Sequence, residues 1–148
     1  MARYVTTVRT QLSPEEAFEY MADLRNFAEW DPGVKKVVQV VGTGAGLDTE
    51  FDVTVSGTTM RYRTTVFNPT TELVAVAKTR MLKSTDRITI TREAVGGNHG
   101  TLVTYDADLQ LNGVLRLADP LLRLAFGRIG DRAAAGLRRV LKGEDVPA

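Results

Sequence analysis

The residues with a claim to chemistry lie on strand-like segments and not in a contiguous catalytic motif. In Ser84-Thr85-Asp86-Arg87-Ile88-Thr89-Ile90, Asp86 shares the alternation phase of Ile88 and Ile90, which turns its carboxylate toward the apolar side. Buried alone, such a group has a raised pKa and serves as a general acid or as an acceptor that orients a ligand. The competing reading leaves Asp86 near the strand start, beyond the covered zone, or paired with Arg87 or Arg80. Tyr62 and Tyr105 carry phenols on the apolar phases Met60, Tyr62, Thr64, Val66 and Val103, Tyr105, Ala107, Leu109, Leu111. Together Asp86, Tyr62 and Tyr105 are candidates for positioning a flexible substrate and moving protons.

Other chemistries are poorly supplied. There is no cysteine, which removes thiolate metal sites, cysteine nucleophiles and disulfide scaffolds. His99, the sole histidine, sits in Gly96-Gly97-Asn98-His99-Gly100, a turn composition with no carboxylate and nucleophile brought to it. No metal-ligand spacing occurs, and no cofactor is expected. Gly42-Thr43-Gly44-Ala45-Gly46 precedes an alternating segment from Asp48 to Val55, whereas a dinucleotide loop must open a helix. It reads as a hairpin turn. With 19 basic and 18 acidic residues the net charge is +1, so no field draws the chain to phosphate backbones. No nucleic-acid partner is expected on that ground. No leader-like apolar region opens the chain and no run reaches the roughly 18 apolar residues of a membrane span, so a cytoplasmic location is expected.

The elements that position these groups follow from period and punctuation. Residues 3–10 alternate as a short strand. Ser13-Pro14-Glu15-Glu16 announces a helix with a capping box, Phe18, Met21 and Leu24 form its buried face, and Asp23 to Trp30 continues as a second short helical piece that Asp31-Pro32-Gly33 stops. From Val34 to Leu111 the period is 2. Strands are expected near 34–42, 48–56, 59–67, 72–79, 84–93 and 101–111, which with the first makes about seven in an antiparallel meander. Gly113 to about Lys142 reads as a long helix, broken or freshly capped at Asp119-Pro120. Its stripe through Leu115, Ala118, Leu122, Phe126, Ile129, Ala133, Gly136, Leu137 and Val140 must face the sheet.

Small residues at the centre of these facing surfaces (Ala75, Ala77, Ala107, Ala133, Gly136) predict a void, and Tyr62, Tyr105, Thr64, Thr79 and Asp86 predict a few polar groups around it. The expected lining is Phe51, Met60, Tyr62, Ala75, Ile88, Tyr105, Phe126 and Ile129, with a volume of roughly 300 to 1,000 Å³. Trp30 is expected at its entrance or as a core plug. Strand directions gather the Trp30–Gly33 approach, the Gly57 turn, the Arg80–Lys83 turn and the entry to the last helix at one end, where Met81 and Leu82 read as entrance residues.

Ser13-Pro14-Glu15-Glu16-Ala17-Phe18-Glu19-Tyr20-Met21-Ala22-Asp23, then Asn26-Phe27 and Trp30-Asp31-Pro32-Gly33-Val34, resembles the opening of the START-like (SRPBCC) superfamily, which includes bacterial polyketide cyclase/dehydrase-type proteins and plant pathogenesis-related allergens. Leu115 to Leu122 and Ile129-Gly130-Asp131-Arg132-Ala133 are similar to the final helix of actinobacterial members. The resemblance covers the chain and implies one α+β domain over residues 1–148, with the helix-grip fold: a curved antiparallel sheet wrapped around a long C-terminal helix. It also implies a function in that range: binding or transport of a small hydrophobic or amphipathic molecule (lipid, polyketide or isoprenoid-like). An aromatase/cyclase using Asp86, Tyr62 and Tyr105, or an interaction domain with a vestigial cavity, are the alternatives. Leu117, Leu121 and Leu124 fall well off the inward stripe beside Arg116, Arg123 and Arg128. Left uncovered, they would suit a homodimer or an anionic membrane surface.

Overall fold

The computed structural model describes residues 2–95 and 98–146. The chain runs β1 (Ala2–Thr10), α1 (Pro14–Ala22), a 3-10 turn (Leu24–Asn26), α2 (Phe27–Trp30), β2 (Val34–Val41), β3 (Glu50–Val55), β4 (Thr58–Asn68), β5 (Glu72–Lys78), β6 (Leu82–Val95), β7 (Asn98–Leu111), a second 3-10 segment (Gly113–Ala118), α3 (Asp119–Leu141) and β8 (Glu144–Asp145). All pairings are antiparallel, in the order β2-β3-β4-β5-β6-β7-β1-β8. The expected helix-grip architecture is present.

Local chemistry sets the boundaries. The Ser13 Oγ accepts from the Glu16 amide at 3.1 Å while the Glu16 carboxylate accepts from the Ser13 amide at 3.2 Å, so the capping box satisfies two otherwise unpaired donors with Pro14 at the first position. The β3–β4 hairpin closes on Ser56 and Gly57, both at positive φ (48° and 79°), the geometry that matches strand twist. Val34 pairs with Val55 and the Asn112 amide donates to the Met81 carbonyl at 2.8 Å, so the four segments expected at one end do gather there.

Three expectations change. β6 and β7 are longer than their alternation suggested, with Val95 opposite Asn98. The expected Gly96-Gly97 part of that turn, with the His99 side chain, lies outside the described residues. A bulge between Thr64 and Val66 reverses the phase of β4, as one extra residue must. Phe67, not Val66, then packs on the core, edge-on to Phe18 at 5.4 Å. Thr79 is exposed at the turn, where its hydroxyl accepts from the Met81 and Leu82 amides. The two-residue β8, beyond the reach of any period, pairs with Val8 and Arg9.

Helix α3 is fastened at its C-terminal half. Ala133, Ala134, Gly136, Leu137 and Leu141 are buried. A Cβ on Gly136 would stand 1.7 Å from the Trp30 carbonyl oxygen, so α2 touches α3 backbone to backbone where only glycine fits. The Arg139 guanidinium donates to the Glu29 carbonyl at 2.9 Å, and the Thr10 hydroxyl donates to the Leu141 carbonyl at 2.7 Å. The N-terminal half and the 3-10 segment before it are different: Leu121 and Leu124 on the helix are 72% and 75% exposed, and Leu117 on the 3-10 segment is 87% exposed. Of the expected inward stripe, Ala118 and Ile129 are also exposed.

Candidate functional site

A cavity of about 180 Å³ lies between the sheet and α3. That is below the expected range, and the reason is visible in what fills the other half of the grip. Phe51, Ala75 and Ile88, expected to line it, are completely buried in the core with Phe18, Met21 and Leu24 from the helical insertion. Trp30 is the core plug and not an entrance residue: it is 1% exposed and its ring stands edge-on to Phe27 and Tyr105, each at 5.1 Å. Met81 is exposed, Leu82 is half-buried and paired with Leu111, and neither lines the cavity.

The remaining candidates do converge. Met60, Tyr62, Tyr105, Phe126 and Ile129 line the cavity together with Asp86, and Ile129 marks its rim because it is half exposed. The apolar walls are completed by Phe27, Val34, Val53 and Val55 from α2, β2 and β3, and by Leu122 and Ala133 from α3.

Two rows across the sheet explain how polar atoms reach this space. Tyr62, Ala77 and Ser84 are cross-strand partners on β4, β5 and β6. Two strand spacings, about 9.5 Å, separate Tyr62 from Ser84, and the alanine between them is small enough for the phenol to pass over. Its oxygen meets the Ser84 Oγ at 2.7 Å. In the next row Thr64, Ala75, Asp86 and Ala107 are partners. Asp86 thus stands between two alanines, and their missing side-chain volume leaves room for a carboxylate and for the void above it. Tyr105, diagonal to Asp86 on β7, donates its hydroxyl to that carboxylate.

Asp86 is not paired with Arg87, which instead donates to Glu72 at 2.7 Å. Burial raises its pKa to about 7, the negative charge of Asp31 pushes in the same direction, and the bond from Tyr105 opposes them. Asp31 also sits above the usual carboxylate range because of burial, partly offset by the Gly33 amide that donates to it at 2.9 Å. Both phenols are pushed up, by burial first and by Asp86 second, so at neutral pH they are hydrogen-bond donors and not bases.

Sequence reasoning missed Asp31, Ser84, Tyr4 and Phe27. Ser84 had a signal, since it precedes Asp86 by two and shares its phase. Asp31 had been read only as part of a helix stop, and its second role is set by where β2 leaves that stop. Tyr4 crosses beneath Gly130, where any Cβ would meet its ring at 2.2 Å, and its hydroxyl donates to Asp131 at 2.8 Å. Among the described residues no group of three or more His, Asp or Glu could hold a metal ion, and no helix is long and apolar enough to cross a membrane.

Comparison with known proteins agrees with this architecture. A START superfamily protein from Mycobacterium smegmatis superposes with a TM-score of 0.69 at 18% identity, covering 96% of this chain and 98% of that one. A protein of Deinococcus radiodurans gives 0.68 at 12% identity, covering 95% of each chain. XoxI of Bacillus cereus gives 0.66 at 17% identity, covering 96% of each. No curated protein sequence matches. Identities this low speak for the fold alone. The family model described as polyketide cyclase / dehydrase and lipid transport matches residues 1–142, and with the START-like fold this establishes that the chain belongs to that family.

Proposed function

We propose that the protein binds a small hydrophobic or amphipathic molecule in the cavity between the sheet and α3. The observation that carries this reading is a void with apolar walls from β2, β3, β4 and α3 and a polar cluster on one side, Asp31, Tyr62, Ser84, Asp86 and Tyr105. Apolar walls supply affinity in proportion to the area removed from water, about 25 cal/mol per Å², and a few fixed polar atoms select orientation. Nile red uptake tests it: fluorescence enhancement is expected with the wild type and not with Ala107→Phe or Ala133→Phe, which fill the void from opposite walls. Equal enhancement in all three folded proteins refutes the reading.

A second reading, a polyketide cyclase-type enzyme, is favoured by one observation: Asp86, Tyr62 and Tyr105 face a single cavity. A carboxyl group with a pKa of about 7 can give and take a proton near neutrality. Incubation with a poly-β-ketone thioester, comparing wild type with Asp86→Asn, tests it; product formation equal in both removes Asp86 from any such role.

A homodimer through Leu117, Leu121 and Leu124 is the partner proposal. Leu121 and Leu124 are exposed three residues apart on α3, Leu117 is exposed on the 3-10 segment just before it, and a second copy presents the same apolar patch to it. Light scattering after size-exclusion chromatography should give a dimer for the wild type and a monomer for Leu124→Glu and Leu117→Glu. A wild-type monomer overturns it.

A further inference from the structure

Resting on the binding reading above, we propose that the ligand is an amphiphile with a protonated amine as its head group, seated between the carboxylates of Asp31 and Asp86. The lining contains two carboxylates and no Lys, Arg or His. The elements around it confirm the imbalance one by one: α3 presents only apolar residues and Gly130 to the void, β1 presents Tyr4, β4 Tyr62, β6 Ser84 and Asp86, and β7 Tyr105. Just outside, Asp131 receives the Tyr4 hydroxyl, and Asp106 on the far side of β7 adds further negative charge behind Asp86 while pairing with Arg3.

Most of the donors in the cavity are already spent. Tyr4 bonds Asp131, Tyr105 bonds Asp86, and the Tyr62–Ser84 contact uses one of that pair's two hydroxyl hydrogens, leaving one donor. Acceptor capacity is in surplus, because a carboxylate offers about four lone-pair sites, whereas Asp31 receives the Gly33 amide and Asp86 the Tyr105 hydroxyl. An ammonium group brings three donors and a positive charge and no acceptor, which complements what is left over. An anionic head would meet two carboxylates, and a ketone could use only the one hydroxyl hydrogen that the Tyr62–Ser84 pair leaves over, with no match for the carboxylates. The apolar side of the cavity, from Val53, Val55 and Met60 to Phe126, then takes the hydrocarbon.

Three probes with the same chain and different heads test the assignment: octylammonium, octan-1-ol and octanoate, each titrated at pH 7.5 against the emission of Trp30. Trp30 is the sole tryptophan and its ring touches Phe27 and Tyr105, both lining residues. A charge-assisted hydrogen bond is worth enough to give octylammonium about ten-fold or more over octan-1-ol, with octanoate weakest. Asp86→Asn and Asp31→Asn should each lower octylammonium affinity by about ten-fold and octan-1-ol affinity by clearly less, because the asparagine carbonyl still accepts from an alcohol hydroxyl. Either variant alone suffices should the other fail to fold. Octan-1-ol or octanoate binding as tightly as octylammonium, a preference that survives in both variants, or Nile red uptake without octylammonium binding overturns the amine head group and leaves the cavity a binding site. No response to any octyl probe together with no Nile red uptake overturns both.

Discussion

Replacing Asp86 by asparagine keeps the shape of the side chain and removes its titration. The folded-state pKa of about 7 lies above the ordinary 3.8, so the native state holds the proton more tightly than the unfolded chain. The sign follows: this group favours the fold most below about pH 4 and progressively less as pH rises toward 7. At 1.36 kcal/mol per pKa unit, the difference amounts to about 4 kcal/mol of stability lost between those limits, with little further change above. Other carboxylates move the opposite way, since Asp23, Asp52 and Glu93 are held below their ordinary values by Arg25, Arg61 and Arg9. Those contributions are common to both proteins and cancel in the comparison. Urea unfolding of wild type and Asp86→Asn at intervals from pH 4 to pH 8.5 should show the variant gaining relative stability across the range and levelling near pH 7.5, by several kcal/mol in total. A difference that stays constant with pH would refute the burial and charge coupling assigned to Asp86.

Tyr105→Phe removes the donor that opposes burial at Asp86, so the carboxyl carbon should titrate above 7 by nuclear magnetic resonance; a lower midpoint contradicts the bond. Gly136→Ala places a Cβ 1.7 Å from the Trp30 carbonyl, an overpacking that backbone cannot relieve cheaply, and thermal unfolding should report a loss of about 2 kcal/mol or more. Ser84→Ala leaves the Tyr62 hydroxyl buried without its 2.7 Å partner, which should cost about 1–3 kcal/mol, and the double change with Tyr62→Phe should recover much of it.

The frame was legible because its signals are local. The capping box at Ser13, the stop at Asp31-Pro32-Gly33 and the alternation from β3 to β7 are each decided within a few residues, and strand direction alone then gathers the turns at one end. The cavity was legible only in part. Alternation reports which face a residue occupies and not how far along the sheet the cover extends, so Met60, Tyr62, Asp86 and Tyr105 were found while Phe51, Ala75 and Ile88 were placed in a void that Phe18, Met21 and Trp30 in fact close. Val66 was misplaced because a bulge has no period. Asp31 escaped because a residue outside any repeat acquires its neighbours only in three dimensions.

Helix α3 is unevenly fastened along its length. Its C-terminal half is clamped by Gly136 on Trp30, by Arg139 on Glu29 and by Thr10 on Leu141, so amides there should exchange with solvent only when the whole domain unfolds. In the preceding turns Leu121, Leu124 and Ile129 are exposed, and amides there should open through local excursions of much lower free energy. Because Leu122, Phe126 and Ile129 form one wall of the cavity, such excursions would open the proposed binding cavity from the helix side. On the binding reading proposed above, a molecule would enter by bending that part of the helix, while the sheet, the plug at Trp30 and the clamped half stay in place.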